Sequence, residues 1–391
     1  MSRGRILAIA FGLSLAAAVS LGLARFSYAL LLPPMRADLQ WSYLTAGTMN
    51  TANAAGYLVG ALLAPRWLAR HDARHLLLAG GAGAIVLLAA HGLVLSDGLL
   101  YLLRWATGVA SAASFVSGGL LAARLAQQSS SVSPGLVLGM YYGGTGLGIV
   151  ASALLVPPLA GLARPHAWQW AWGALAATAL AATLATATAT RPLHGGSAGG
   201  AAQRAPLRWA ALAPALGGYL MFGLGYIGYM TFVITLLREQ RLPEGQIVGF
   251  YVLLGVGVAT SSWLWAGLLQ KARAGGALAL LNALLAAATA LPVLLPHPAA
   301  AIVSGALFGA VFLSVVASTT ALVRHNLPQA QWSAGIAAFT IVFAAGQIVG
   351  PTVVGWLADG PGGLARGFLW SAGFLALGAV LALRQKPLPQ T

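Results

Sequence analysis

The chain has 391 residues, of which 59% are hydrophobic and only 7% are charged, and it carries a formal net charge of +15. This composition excludes a soluble globular protein, and the absence of cysteine excludes disulfides, thiolate chemistry and cysteine metal sites. Apolar runs recur along the whole chain. Their length and continuity exclude a β-barrel and suit helices that cross a hydrocarbon core of about 30 Å.

Twelve membrane-spanning helices are predicted from these runs, so the fold class is an all-α polytopic membrane protein. The 50 glycines favour close packing between membrane helices. The first run is too long for the apolar core of a signal peptide, and we expect it to remain as a helix. The expected helices cover residues 6–34, 43–65, 76–95, 99–123, 135–161, 167–190, 210–237, 246–270, 276–295, 299–323, 333–358 and 364–384.

The first helix carries the most informative residue, Arg25. The run around it, Ile6–Leu32, contains no acidic residue. A cation in hydrocarbon costs roughly 2.5–3.5 kcal/mol on insertion scales, so such residues are rare and usually functional. A mobile anion would offset the charge, because the arginine fork binds carboxylate or phosphate through two hydrogen bonds. The alternative interpretation is that Arg25 snorkels to the outer interface.

The fourth helix places a second arginine, Arg104, on one face with small polar residues. If the first helix ends at Pro33–Pro34, Arg25 lies roughly 12 Å and Arg104 roughly 10 Å from the outer ends of their helices, at 1.5 Å per residue. We therefore expect both guanidinium groups at one level. Alternatively, Arg104 bonds backbone carbonyls at a kink near Gly108, and the hydroxyls join helices. The face consists of Arg104, Thr107, Ser111, Ser114 and Gly118.

The longest polar stretch, Arg191–Arg208, is rich in glycine, alanine and proline and is typical of a flexible linker. It divides the chain into two blocks of six helices each. The predicted domains are an N-terminal bundle over residues 1–190, a cytoplasmic linker over 191–209 and a C-terminal bundle over 210–391.

The two halves look related in sequence. Gly22-Leu-Ala-Arg25-Phe-Ser-Tyr28 in the first helix matches Gly223-Leu-Gly-Tyr226-Ile-Gly-Tyr229 in the seventh. Such paired halves are typical of transporters that alternate access around a site near the membrane midplane. The sequence therefore favours an internal duplication.

Aromatic residues follow one face of the seventh helix. Tyr226 and Tyr229 are favoured as substrate contacts because they match Arg25 and Tyr28 in the repeat, although helix packing is the commoner use of such residues. Phe308 lies on a similar face of the tenth helix. Weaker candidates, most of them expected to pack helices, are Asn50, Asn53, Tyr57, Tyr141, Tyr142, Thr145, Phe343 and Gln347.

The Lys and Arg residues are distributed unevenly between the two sides of the membrane. With the N-terminus placed inside, most Lys and Arg residues fall in inside segments, and every acid except Asp72 falls outside. This is the positive-inside pattern of a protein with an even number of helices, so both termini are expected in the cytoplasm. The charge therefore indicates orientation in a lipid bilayer, and no nucleic-acid partner is expected.

Three local patterns accompany the arrangement of six helices, linker and six helices. Arg104-x-x-x-Gly108 lies in the fourth helix, Gly346–Asp359 contains a Gly-Pro pair and ends in Leu-Ala-Asp, and Leu68–His75 joins the second and third helices. With these motifs the chain resembles the major facilitator superfamily (MFS) over nearly its whole length. The phrase Gly22–Met35 is similar to that of a bacterial branch of small permeases.

The resemblance implies a monomeric inner-membrane transporter in which helices one, four, seven and ten line the cavity. The loop motif departs from the usual pattern, because Arg70 stands where an aspartate is usual and Ala73 where a glycine is usual. Asp72 is the candidate substitute for the missing gate latch. Gating or packing roles are implied for Arg70, Asp72, Arg74, Gly108, Gly350, Pro351 and Asp359.

The residues exclude most enzyme chemistry. No histidine shares a membrane depth with a serine, buried acid pairs are lacking, and no phosphate-binding loop motif occurs, so no enzyme, cofactor or metal site is expected. We expect a secondary active or facilitative transporter of a small organic anion, in particular a carboxylate. The alternatives are an exporter of neutral or amphiphilic compounds, with both arginines structural, and a non-transporting receptor or scaffold. The predicted substrate-binding residues are Arg25, Tyr28, Arg104, Thr107, Ser111, Tyr226, Tyr229 and Phe308.

Overall fold

The computed structural model describes residues 2–128, 131–193 and 209–388, except for the side chain of Ser333. The predicted linker over 191–209 therefore lies almost wholly outside the described residues. Within the described ranges the chain forms helices and short connections, without a β-strand.

Twelve long helices make up the described structure, as the sequence predicts, and we number them in chain order. Most of their ends lie within a few residues of the predicted ones. The helices are α1 (Arg3–Asp38), α2 (Tyr43–Arg70), α3 (Ala73–His91), α4 (Asp97–Gln128), α5 (Pro134–Ala160), α6 (Trp168–Ala189), α7 (Trp209–Glu239), α8 (Glu244–Lys271), α9 (Gly276–Leu294), α10 (Pro298–Asn326), α11 (Gln329–Ala358) and α12 (Gly363–Leu383).

Three of these helices are not uniform. Helix α1 has a π-helical middle, Ala18–Phe26, between two α-helical parts, and α8 is interrupted at Trp265. Helix α11 starts with a 3₁₀ turn, Gln329–Gln331, before its α-helical part, Trp332–Ala358. A π segment inside an α-helix often marks a functional region.

One predicted boundary affects the estimated depth of Arg25. Helix α1 does not end at Pro33–Pro34 but continues through both prolines to Asp38. Proline fixes a backbone angle that suits a helix, and its cost is the loss of one helical hydrogen bond and a steric clash with the preceding turn. Arg25 is consequently about 20 Å from the end of the helix at 1.5 Å per residue, deeper along α1 than predicted.

Eleven of the helices in the described residues are long and apolar enough to cross a membrane. Helix α2 is not among them, although it spans 28 residues. Its N-terminal half is polar. Its two asparagines are buried, so neighbouring helices shield them from lipid. The polar residues of this half are Thr45, Thr48, Asn50, Thr51 and Asn53.

The chain divides into two compact units. Unit 1 comprises Met1–Trp41, Ala52–Gly199 and Pro243–Thr260, and unit 2 comprises Ser42–Thr51, Gly200–Leu242 and Ser261–Thr391. Each unit therefore consists mainly of one predicted half and includes a short segment from the other.

Helix packing repeats between the two units. In unit 1, α1 packs on α5 and α6, and α3 packs on α4 and α6; in unit 2, α7 packs on α11 and α12, and α9 packs on α10 and α12. Each partnership recurs six helices later. This is the arrangement that a duplicated six-helix bundle predicts.

Glycines make the closest of these contacts possible at equivalent positions. A Cβ atom on Gly22 of α1 would lie 2.5 Å from the Cα of Gly148 in α5, and one on Gly223 of α7 would lie 3.2 Å from the Cα of Gly346 in α11. Gly22 and Gly223 are matched in the sequence repeat. The repeated phrase thus encodes a close helix contact in both units.

Candidate functional site

The π segment of α1 surrounds Arg25. Its end is marked by a hydrogen bond from the amide of Ser27 to the carbonyl oxygen of Gly22, five residues back, at 3.0 Å. The helix is wound more tightly a few residues later, since the amide of Leu30 donates to the carbonyl of Ser27, three residues back, at 3.0 Å. The normal ladder of an α-helix is therefore interrupted in the segment that contains Arg25.

Side chains supply donors to the carbonyls beside this interruption. The hydroxyl of Ser27 donates to the carbonyl of Leu23 at 2.5 Å. Arg104 Nη1 of α4 donates to the carbonyl of Ala24 at 3.1 Å, and the hydroxyl of Tyr251 of α8 donates to the carbonyl of Phe26 at 2.6 Å. A backbone carbonyl in hydrocarbon needs such a partner, because no water is there to replace it.

The Arg25 side chain is buried, with 5% of its surface exposed. Its guanidinium carbon lies 5.6 Å from the ring centre of Tyr57 on α2 and 5.8 Å from that of Phe26. Aromatic faces attract a cation at this range. Tyr57 is one of the weaker candidates from the sequence, and the structure places its ring next to Arg25.

Arg104 lies in the same part of unit 1. Its guanidinium carbon is 4.5 Å from the ring centre of Tyr28, and its backbone carbonyl accepts a hydrogen bond from Asn53 of α2 at 3.0 Å. The structure thus brings together three of the predicted substrate residues, Arg25, Tyr28 and Arg104. It also gives Arg104 a backbone partner on another helix, Ala24, rather than at a kink beside Gly108.

The hydroxyl residues of α4 are buried inside unit 1. Thr107 donates to the carbonyl of Leu103 in its own helix at 2.7 Å. The hydroxyls of Ser111 and Ser114 have no hydrogen-bond partner among the described residues. Ser114 lines a small void with Leu77 of α3, so the face that these residues share points partly into the bundle.

In unit 2, Tyr226 lies in an aromatic stack. Its ring is 4.7 Å from Phe222, 5.5 Å from Phe343 and 5.9 Å from Phe312, all nearly parallel, and its hydroxyl donates to Gln347 at 2.9 Å. These partners come from α7, α10 and α11. The stack presents flat apolar surfaces that suit helix packing and would also suit a planar ligand.

Tyr229 and Phe308 serve a different arrangement. Their rings stack 3.9 Å apart, and the Tyr229 hydroxyl lies 2.7 Å from that of Ser304, which donates to the carbonyl of Ala288 at 2.6 Å. In an α-helix that carbonyl would bond residue 292, but Pro292 has no amide hydrogen. Ser304 supplies the missing donor, and Tyr229 orients Ser304.

The predicted gate residues of the loop between α2 and α3 hold helix ends. Asp72 caps the start of α3 by accepting from the amides of Arg74 at 2.7 Å and His75 at 3.3 Å. Arg74 Nη2 donates to the carbonyl of Ala187 near the end of α6 at 2.8 Å. Arg70 is exposed. Asp72, the candidate latch, is thus engaged at its own helix.

The Gly-Pro motif packs α11 closely against its neighbours. A Cβ atom on Gly350 would lie 2.6 Å from the carbonyl oxygen of Leu224 on α7. A Cβ atom on Gly47 of α2 would lie 2.2 Å from the carbonyl oxygen of Pro351. Gly108 of α4 has a similar role, 2.1 Å from the carbonyl of Asn53. Side chains at these glycines would separate the helices.

Asp359 ends the same motif. Its carboxylate oxygens accept from the amides of Tyr43 and Leu44, the first residues of α2, at 2.8 and 2.9 Å. The Tyr43 hydroxyl donates to Glu239 at the end of α7.

Tyr251 and the π segment could not be identified from the sequence. Tyr251 lies on α8, outside the helices that the family resemblance implicates, and it acts on a backbone carbonyl that no sequence motif displays. The π segment is equally hidden, because its residues form an unbroken apolar run. Only the proximity of Pro33–Pro34 gave a hint of irregular backbone in this helix.

Comparisons with known proteins agree with this architecture. The family described as uncharacterised MFS-type transporter YbfB matches residues 17–383. No curated protein sequence matches the chain. Among solved structures, a bacterial homologue of the human lysosomal transporter Spinster, in an inward-facing and unoccupied conformation, is similar with a TM-score of 0.73 and 13% identity, over 98% of this chain and 97% of that one. The nucleoside transporter NupG is similar with a TM-score of 0.73 and 13% identity, over 98% of each chain. At this identity, the likeness shows the fold alone.

Proposed function

Because the chain belongs to the family described as uncharacterised MFS-type transporter YbfB, we propose that it moves a small organic anion, most simply a carboxylate, by alternating access. Membership of this family makes it a multi-pass membrane transporter of a small molecule and not an enzyme. We further propose a monomer in the bacterial inner membrane, with both termini in the cytoplasm as the distribution of Lys and Arg indicates.

The observation that carries the proposal is the burial of Arg25 inside a membrane bundle. Its guanidinium lies among aromatic rings, and a second cation, Arg104, bonds the backbone carbonyl of Ala24, the residue before Arg25. Two cations in a medium of low dielectric constant create a strong attraction for an anion. The planar fork of arginine fits a carboxylate through two parallel hydrogen bonds.

Five of the six acids of the chain form hydrogen bonds at helix ends. Asp38 accepts from His166 and Trp168 at 2.6 Å each, and Asp97 accepts from Trp41 at 2.7 Å. Asp72, Glu239 and Asp359 bond helix starts or Tyr43, as described above. The planar guanidinium of Arg25 is suited to bind a carboxylate that the substrate brings.

We propose a different role for each of the other predicted residues. Arg104 holds the α1 backbone through Ala24 and adds positive potential near Arg25. Ser111 contributes a buried hydroxyl that has no partner among the described residues, so it is the better placed of the two α4 hydroxyls; Thr107 is the weaker one. Further proposed contacts to the organic part of the substrate are Tyr28, Tyr226, Tyr229 and Phe308.

A second candidate is transport of a neutral or amphiphilic compound, with both arginines structural. Two observations favour it. Arg104 already bonds the Ala24 carbonyl and lies on the Tyr28 ring, and the aromatic stack around Tyr226 suits a flat neutral group. The similar fold of a nucleoside transporter is compatible with such a substrate.

Uptake into proteoliposomes separates the two candidates. Wild-type protein is tested with a panel of radiolabelled monocarboxylates under an imposed pH gradient, beside Arg25→Gln and the control Arg164→Gln, which lies in the exposed connection before α6. We expect Arg25→Gln to reduce carboxylate uptake at least tenfold and Arg164→Gln to leave it unchanged. Normal carboxylate uptake by correctly inserted Arg25→Gln protein would refute the anion proposal.

A further inference from the structure

We infer that Tyr251 is a positioning residue for Arg25, acting through the backbone carbonyl of Phe26. The inference rests on the proposed function only in giving Arg25 the role of substrate ligand. The contact itself is geometric: the Tyr251 hydroxyl lies 2.6 Å from the carbonyl oxygen of the residue that follows Arg25.

The Phe26 carbonyl lies where the backbone of α1 changes its winding. The regular α-helical donor to this carbonyl would be the amide of Leu30, four residues later. The amide of Leu30 donates to the carbonyl of Ser27 at 3.0 Å, where the chain changes from π-helical to α-helical winding. Tyr251 thus bonds the carbonyl at the point where the helix changes its winding.

Arg25 is held from both sides. The carbonyl before it, on Ala24, accepts from Arg104 at 3.1 Å, and the carbonyl after it, on Phe26, accepts from Tyr251. The two donors come from different helices, α4 and α8. Together they fix the position of the π segment along α1.

The position of a π segment decides where a side chain points. A π turn contains one residue more than an α turn, so moving its end along the helix by one residue rotates the residues it passes by about 100°. Arg25 lies at the end of the segment, next to Phe26. A shift there would turn its guanidinium away from the ring of Tyr57.

Tyr251 is well suited to a clean test, because phenylalanine removes only its hydroxyl. Its side chain is fully buried, so the ring keeps its packing in Tyr251→Phe. Tyr141 of α5 provides a matched control. It is also fully buried in unit 1, and its hydroxyl also donates to a backbone carbonyl, that of Phe115, at 2.5 Å.

The position of Arg25 can be measured without a known substrate. Protein labelled with ¹⁵N-arginine is placed in lipid nanodiscs, and the Nε–H signal of Arg25 is identified by its loss in Arg25→Lys. We expect Tyr251→Phe to shift or broaden this signal, and Tyr141→Phe to leave it in place. An unchanged Arg25 signal in folded Tyr251→Phe protein would overturn the inference, as would equal changes in both variants.

Two further measurements complete the test. Arg104→Lys alters the donor to the other carbonyl, Ala24, and should displace the same signal, which provides a second route if Tyr251→Phe does not fold. In proteoliposomes, Tyr251→Phe should raise the KM for a transported carboxylate at least threefold with a nearly unchanged maximal rate. If uptake does not depend on Arg25 at all, the proposed function fails, while the signal still decides whether Tyr251 positions Arg25.

Discussion

The carboxylate of Asp359 accepts a hydrogen bond from the backbone amide of Tyr43 at 2.8 Å, although the two residues are 316 positions apart in the sequence. Asp359 ends α11, and Tyr43 begins α2. The first turn of a helix has amides without helical partners and a partial positive charge, so an aspartate is a favourable cap there. Here the cap comes from a helix distant in the sequence but in the same unit, unit 2.

Loss of this cap should loosen the start of α2. We expect Asp359→Ala to cost about 1 kcal/mol locally, which corresponds to a roughly fivefold increase in opening of the first turns. The chain has no cysteine, so a single Ala46→Cys substitution gives a unique label at a buried position of α2. Its reaction with a water-soluble maleimide should be faster in Asp359→Ala, and less so in Asp359→Asn, which keeps an acceptor oxygen. Equal rates in all three proteins would contradict the capping role.

Ser304, which supplies the hydrogen-bond donor that Pro292 lacks, should contribute more to thermal stability than Tyr229. Ser304→Ala removes the donor to the Ala288 carbonyl and the partner of the Tyr229 hydroxyl, whereas Tyr229→Phe leaves Ser304 bonded to Ala288. A buried polar group without a partner costs about 1–3 kcal/mol, so Ser304→Ala should lower the thermal stability in nanodiscs more than Tyr229→Phe.

A double substitution tests the reason for this difference. Pro292→Ala restores an amide hydrogen that can bond the Ala288 carbonyl within α9. The cost of Ser304→Ala should therefore be smaller in the Pro292→Ala background than in the wild type. Additive effects of the two substitutions would show that Ser304 does not replace the missing proline donor.

The repeated glycine contact should tolerate no added methyl group. In Gly22→Ala the new Cβ would lie 2.5 Å from the Cα of Gly148, and overpacking of this kind typically costs about 1–3 kcal/mol. Gly173→Ala on α6 is the control, since nothing lies within 4 Å of its Cβ position. Thermal unfolding should show a clear loss for Gly22→Ala and none for Gly173→Ala. A similar stability for both variants would contradict the close contact between α1 and α5.

The sequence predicted the helices well because the signal for each of them is local and strong. Twelve long apolar runs, separated by polar segments, are enough to locate α1 to α12 within a few residues. The repeat was also readable, since Gly22 and Gly223 occupy equivalent helix contacts. Family motifs directed attention to Gly108, Gly350 and Asp359, and these residues lie at contacts between helices.

The irregular backbone of α1 could not be predicted from the sequence. Helix α1 continues through Pro33–Pro34, and donors from other helices, Arg104 and Tyr251, bond carbonyls in the π segment around Arg25. Periodicity describes a regular helix and therefore gives no indication of where the ladder is interrupted. The partners of Arg104 and Tyr229 were also hidden, because both act on backbone carbonyls, directly or through Ser304.

Recognition of negative charge by Arg25 can be measured through the binding of matched pairs of ligands. Each carboxylate of a panel is compared with its neutral amide, which has nearly the same shape, by the thermal shift it produces in purified protein. We expect that at least one carboxylate stabilises the wild type while its amide does not, and that Arg25→Gln abolishes this shift. Equal stabilisation by acid and amide, or an undiminished carboxylate shift in Arg25→Gln, would contradict recognition of negative charge by Arg25.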